Sequence, residues 1–310
     1  MAVNGSCTTG AHASKGQFFL HDMHYHIIDG HAARGRALKN RFFFCRVFTK
    51  IVSGQRAWFG VNVSNGFLKV LVGANGQERN TTLRDARQHG FVPSVTTIIG
   101  MSAKPALENW KIDQALNSAI TLEQREDESL AAFTYRCKKD SKEVGRKAAE
   151  RGTIIHGMIE QGFAGGTETK PYLKIREYLD ETFPDEEWIA EASFCSDLGY
   201  GGKIDLYSKT GIFVDFKTKD GLKDKKASKL VFDDHGMQLS AYAAGCNFKD
   251  PSRVSIFVDR GDPELIAAHQ WDKETNARHF GMFKSLLTYW KLVKKYDPSE
   301  IINKNKNEAI

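Results

Sequence analysis

Residues 201–220 read GGKIDLYSKTGIFVDFKTKD, and the period of this stretch decides the fold. Apolar and polar positions alternate on either side of Thr210-Gly211, which predicts strands over 201–208 and 211–218 joined by a tight turn. Asp205 and Asp215 lie ten residues apart, one on each strand, and Lys217 follows two positions after the second aspartate. Charged groups on buried strands are costly unless they are paired or hold a metal.

The same period extends outward. EWIAEASFCS at 187–196 predicts the strand before this pair, and RVSIFVDR at 253–260 and ELIAAHQW at 264–271 predict two after it. Helical spacing appears at 104–116, almost throughout 121–163, and at about 171–183, 227–246 and 272–295. The order is helix, three-stranded meander, helix, two strands, helix. That is an α/β core with a mixed central sheet flanked by helices. Upstream, FVPSVTTII at 91–99 is a β-branched run, and WFGVNVSNGFLKVLVGA at 58–74 alternates like a hairpin turning at Ser64-Asn65-Gly66. Residues 297–310 read as a polar tail, and no internal repeat is present.

A short turn makes the two central strands neighbours, so Asp205 and Asp215 project from one region of the sheet. Ile212, Phe213, Val214 and Phe216 surround Asp215 with apolar groups. Desolvation and mutual repulsion both favour the neutral carboxyls. A divalent cation reverses both effects, and oxygen ligands select a hard ion, Mg²⁺ or Mn²⁺. Lys217 has the parity of Asp215 and shares its face. Its ammonium can stabilise charge on a pentacovalent phosphate, or help orient and deprotonate an attacking water. Asp-x-Lys standing alone would equally fit a surface salt bridge.

Further residues join the pair: His156 within RGTIIHGMIEQ on a helix, Glu191 on the preceding strand, Tyr200-Gly201-Gly202 leading into the Asp205 strand, and Gln238 and Tyr242 one helical turn apart. The order His156, Glu191, Gly202-x-x-Asp205, Asp215-x-Lys217, Gln238-x-x-x-Tyr242 resembles the RecB-type exonuclease branch of the PD-(D/E)xK nuclease superfamily. FVPSVTTIIG followed by KPALENW is similar to the opening of phage exonucleases and of the mitochondrial genome maintenance exonuclease. The resemblance runs from about Val92 to Tyr296. It implies a restriction-endonuclease-like core over 91–296 and a nuclease activity. It further implies His156, Asp205, Asp215 and the Phe216 carbonyl as metal ligands and Lys217 as the catalytic lysine. Gln238 and Tyr242 would position the lysine and the scissile strand, and Glu191 would support the metal or hold a second ion. Iron–sulfur members of this branch carry cysteines that this chain lacks. Cys7, Cys45, Cys137, Cys195 and Cys246 are scattered, so neither a cluster nor a disulfide framework is expected.

Composition agrees with a nucleic-acid enzyme without proving one. The 310-residue chain is 41% hydrophobic and 26% charged, with a net charge of +6 that suits a polyanionic partner. No apolar run is long enough for a membrane span. Residues 1–90 form a basic extension of unknown role. Up to Arg56 it holds eight Lys/Arg against Asp22 and Asp29, a slight likeness to a transit peptide, though poor in serine. His21, His24 and His26 within HDMHYH form at most a weak metal pattern.

The expected substrate is DNA, single-stranded or at its ends, handled alongside recombination, replication or repair proteins. The expected setting is the reducing cytoplasm of a bacterium or a phage-infected cell, with a mitochondrion the weaker alternative. Lys219, Lys223, Lys225, Lys226 and Lys229 follow the catalytic lysine and could meet the backbone, as could Arg146, Lys147 and Arg151. Trp110, Phe163 and Tyr200 could stack on unpaired bases, with Gly202 beside them. Residues 104–151 are long enough for an arch that threads a free end. An endonuclease of the same fold, or a non-catalytic nucleic-acid-binding module, are the competing readings.

Overall fold

The computed structural model describes residues 81–308, together with Trp58, Phe59 and Gly76. The His21–His24–His26 pattern and most of the expected 58–74 hairpin lie outside the described residues. The chain runs through β1 (Trp58–Phe59), α1 (Leu83–His89), β2 (Val92–Pro93), α2 (Val95–Ile99), α3 (Pro105–Thr121), α4 (Leu130–Asp140), α5 (Glu143–Phe163) and α6 (Lys170–Thr182). It continues through β3 (Trp188–Ser196), β4 (Tyr200–Ser208), β5 (Ile212–Lys219), α7 (Asp233–Gly245), β6 (Ser252–Asp259), β7 (Ile266–Trp271), α8 (Thr275–Lys294) and α9 (Pro298–Glu308).

Strands β3 to β7 form one sheet in sequence order. The β5–β6 pair is parallel and the other three are antiparallel, so the sheet is mixed. Gly211, at φ 102°, makes the turn between β4 and β5, in a region that other residues rarely enter. Because β5 is central, Ile212 to Phe216 are buried in an unbroken run, as a strand covered on both faces must be. Phe213 packs with Leu239, Phe283 and Trp290 under α7 and α8. Val214 and Phe216 pack with Ile155, Ile159, Ile175 and Leu179 under α5 and α6. Each such side chain, fully buried, is worth about 1.5–3 kcal/mol against exposure.

The meander and later strands lie where the period predicts them, α7 starts at Asp233 rather than at about 227, and three further regions differ. The β-branched run 91–99 divides into a short bridge and helix α2. Ser94 caps this helix by accepting from the Thr97 N–H at 3.1 Å, and Val95, Ile98 and Ile99 are buried on its inner face. The 121–163 stretch is two helices, with 122–129 non-helical between α3 and α4. The tail expected at 297–310 instead carries α9. Asp297 accepts from the Ser299 N–H at 3.0 Å and Pro298 follows it, a helix start sealed by the burial of Ile302.

One distortion is invisible in the register. On β3, Ile189 and Ala192 pack with the α7-side cluster, while Trp188 and Ala190 pack on the other side. On β4, Ile204 and Tyr207 belong to the α7 side and Leu206 to the other. Both strands therefore switch faces, β3 at Glu191 and β4 at Asp205. The pairs Ala190↔Leu206 and Ala192↔Ile204 stay in register across this point. Glu191 absorbs the switch at φ 58°, the left-handed region. No helix among the described residues is long and apolar enough to cross a membrane.

Candidate active site

Strand β5 alternates strictly, so Asp215, Lys217 and Lys219 share the face that looks toward α7. Asp215 is 1% exposed. Helix α7 lies across it with Gln238 and Tyr242 one turn apart on the inner side. The Gln238 amide joins the group: its Nε2 donates to Asp215 Oδ1 at 2.7 Å and lies 2.9 Å from the Tyr242 hydroxyl. Its Oε1 accepts from Lys217 Nζ at 3.3 Å. Asp215 Oδ2 is buried without a hydrogen-bond donor of good geometry, and the Lys217 ammonium sits against it as an ion pair.

Burial pushes the Asp215 carboxyl above its ordinary range, against the pull of Lys217, and the Asp205 charge adds to the rise. Burial also raises the Tyr242 phenol, with both carboxylates contributing. This hydroxyl therefore stays protonated and can donate.

Asp205 is held differently. The recorded β4–β5 pairs end at Leu206↔Val214, where β4 switches faces. The Asp205 carboxylate takes over from the ladder, its Oδ2 accepting the Phe216 N–H at 2.9 Å. His156 approaches from α5, with Nδ1 3.9 Å from Asp205 Oδ2 and its ring edge-on to Phe216. Gly152 makes that approach possible: a Cβ there would stand 2.9 Å from Thr218 Oγ1, and His156 follows one turn later. Opposite Asp205, Glu191 is engaged by the Lys203 ammonium.

Asp205 thus lies between two partners, the His156 imidazole on the α5 side and the Asp215 carboxylate, which feels its charge, on the α7 side. Carboxylate oxygens are the donors a hard divalent cation prefers. Among the described residues no three His, Cys, Asp or Glu side chains form a group that could hold a metal ion, and the Lys217 ammonium lies against Asp215 Oδ2.

Of the residues expected to touch nucleic acid, Lys219 lies on the Asp215 face, half-buried, with its ammonium 5.6 Å from the Phe232 ring centre. Burial lowers its pKa, and the neighbouring Arg260 adds to the effect. Arg151 is at the rim, donating to the Arg260 carbonyl at 2.7 Å. Trp110 lies on α3 against Gly145 of α5 and is 38% exposed. Two readings need correction. Tyr200 is fully buried, its hydroxyl donating to the Ala241 carbonyl at 2.9 Å, so it offers no ring face to a base. Gly202 serves packing, since a Cβ there would stand 2.8 Å from the rings of Phe194 and Tyr242.

Two neighbours escaped the sequence reading. His235 lies three residues before Gln238, on the same side of α7. Its Nδ1 is buried without a partner, and burial, with Lys217 nearby, lowers its pKa to about 4. Arg253 on β6 is 1% exposed and binds Ser240, Asp272, Thr275 and His279, tying the sheet to α7 and α8. The spacing to Gln238 could have flagged the histidine; nothing in RVSIFVDR marks its first arginine, Arg253, as buried.

No family model matches this chain, and no curated protein does. Similar solved structures include an alkaline exonuclease (LHK-Exo) from Laribacter hongkongensis at 11% identity and a TM-score of 0.30, covering 66% of this chain and 100% of that one. The same enzyme in complex with dAMP gives 12% identity and a TM-score of 0.33, covering 64% and 93%. The protein SSO0001 gives 15% and 0.26, covering 58% and 85%.

Proposed function

We propose that this chain is a metal-dependent deoxyribonuclease of the PD-(D/E)xK type, acting as an exonuclease on single-stranded DNA or DNA ends in recombination, replication or repair. One observation carries the reading. A buried carboxylate, Asp215, is clasped between the Lys217 ammonium and the Gln238 amide, with Asp205 at its side. Structural ion pairs seldom place a second carboxylate beside a desolvated one. Perturbed groups of this kind cluster where chemistry is done.

Asp205, Asp215, His156 and the Phe216 carbonyl would hold Mg²⁺ or Mn²⁺, with Glu191 in support. When bound, the ion would polarise a phosphate oxygen and make water easier to deprotonate. The chain's own groups do the rest. Gln238 accepts a hydrogen bond from Lys217 and so fixes the ammonium beside Asp215. From there Lys217 can neutralise charge growing on a phosphate. Tyr242, kept protonated, locks the Gln238 amide. Lys219 and Arg151 extend positive charge along the path a backbone would take, in a DNA-containing, reducing compartment such as the cytoplasm.

End-labelled DNA, digested with Mg²⁺ or Mn²⁺ and again with chelator, tests the reading. Cleavage by the wild-type chain that chelator or Lys217→Ala abolishes is the expected result. Full activity in Lys217→Ala would remove it. A closed circular single strand separates the two outcomes that share this site: resistance marks an exonuclease, cutting an endonuclease.

A further inference from the structure

The residue that starts α7 is an unexpected one. Phe232 occupies the N-cap, where a short polar side chain normally binds the first free N–H groups. It makes no such bond, and it is 54% exposed. Its neighbours behave otherwise: Leu230 and Val231 turn inward onto Leu222 and Phe257. An exposed aromatic ring thus stands beside the candidate active site with no part in capping the helix.

The ring is braced. The edge of His235 packs on it with centres 5.7 Å apart, and His235 in turn rests on Phe257 at 5.8 Å. Phe257 is the register partner of Lys217 on β6. The Lys219 ammonium lies 5.6 Å from the ring centre. Lys217 and Lys219 are two strand steps apart, about 7 Å, on one face. That separation is close to the distance between neighbouring phosphates on an extended strand.

We propose that Phe232 and Lys219 form a nucleotide platform, on which an unpaired base stacks against the Phe232 ring while its phosphate meets the Lys219 ammonium. The next phosphate along the strand then falls at Lys217. The platform rests on the nuclease reading and supplies what Tyr200, buried, cannot: an aromatic surface that favours single strands over duplex, whose bases are already stacked. A half-buried ammonium crowded by Arg260 gains from a phosphate partner.

Fluorescence anisotropy of the full chain in chelator, with a labelled oligothymidylate and a duplex of equal length, tests this without turnover. Phe232→Ala should weaken single-strand binding roughly ten-fold, the size of one lost base–aromatic stack, and leave duplex binding unchanged. Phe232→Tyr should restore it. An oligonucleotide carrying abasic sites should bind the wild-type chain as weakly as intact oligothymidylate binds Phe232→Ala. Equal single-strand binding by Phe232→Ala and wild type, or equal losses on single strand and duplex, would overturn the platform. So would a wild-type chain that binds no single strand. Absence of cleavage in metal strikes the nuclease reading instead, and the metal-free binding ratio reads the platform independently of it.

Discussion

Asp215 and Asp205 stand on adjacent strands, yet the fold holds them by opposite means. Asp215 keeps its place on a strictly alternating strand, is 1% exposed, and is fixed by side chains from α7 and by Lys217. The Asp205 side chain is 20% exposed, stands where its strand switches faces, and is fixed by a backbone N–H. One carboxylate is desolvated and pushed toward its neutral form, while the other stays at the edge of water. The pair is therefore asymmetric before any ligand arrives. A cation bound there, as proposed, would relieve the desolvation of the buried member.

The sharpest way to break this contrast is to neutralise each aspartate without changing its size. Asp215→Asn and Asp205→Asn should each cut nuclease activity by at least about 10³-fold, as loss of a site's principal charge-stabilising group does. Their stabilities should part company. Asp215→Asn should unfold no earlier than wild type, since it removes a buried charge. Asp205→Asn should cost about 1 kcal/mol, because an amide oxygen is a weaker acceptor for the Phe216 N–H. Denaturant midpoints beside end-label assays check both, and equal stability losses would erase the distinction.

Gln238→Leu comes next. It removes the donor to Asp215 Oδ1 and the partner of Tyr242, leaving buried groups unsatisfied at a cost of about 1–3 kcal/mol. Activity should fall roughly 10²-fold, and Tyr242→Phe should show a smaller loss on both measures.

The pH dependence of stability separates two buried groups on this face. His235 has a folded pKa of about 4, below its ordinary value of 6.5. A depressed pKa contributes stability that is present above 6.5 and lost as pH falls through about 4. The loss is up to about 3 kcal/mol. Asp215 has the opposite sign: its folded pKa is raised, so its contribution is complete below the ordinary 3.8 and lost as pH rises through the higher value. Denaturation midpoints across acidic pH should thus flatten in His235→Gln below 6.5, while Asp215→Asn should remove the rising-pH loss.

The smallest effect concerns Glu191, at φ 58°. Glu191→Gly relieves the backbone but frees Lys203, so stability should change by less than about 1 kcal/mol. Glu191→Val should be worse by about 1–2 kcal/mol, because a β-branched residue fits that conformation poorly. Equal melting temperatures for the two would mean the backbone at 191 is not strained.

Much of this contrast could be read from residues alone, and the reasons are local. On β5 the period of two is unbroken and a glycine turn fixes the neighbour, so Asp215 and Lys217 fall on one face without further information. Gln238 and Tyr242 follow from helical spacing. The face switch could not be read, because β3 and β4 invert together and the pairing count on either side is unchanged. Tyr200 was misjudged because a tyrosine beside a strand start suits a stacking surface and a core equally. Helices α2 and α8 decide in favour of the core. Phe232 hid in the opposite way: inside a helix expected over about 227–246, an apolar residue looks like packing. Helix α9 was missed because its buried residues, Pro298 and Ile302 among those described, leave almost no periodic trace.

The inversion at Glu191 and Asp205 has a last consequence. Strike out both residues on paper, and Trp188 to Phe194 and Tyr200 to Tyr207 become two plain alternating strands, still matched partner to partner. The pair behaves as a double insertion in an otherwise regular hairpin, one extra residue on each side of the ladder. The sheet would close without them, but the patch beside Asp215 would lose its second carboxylate.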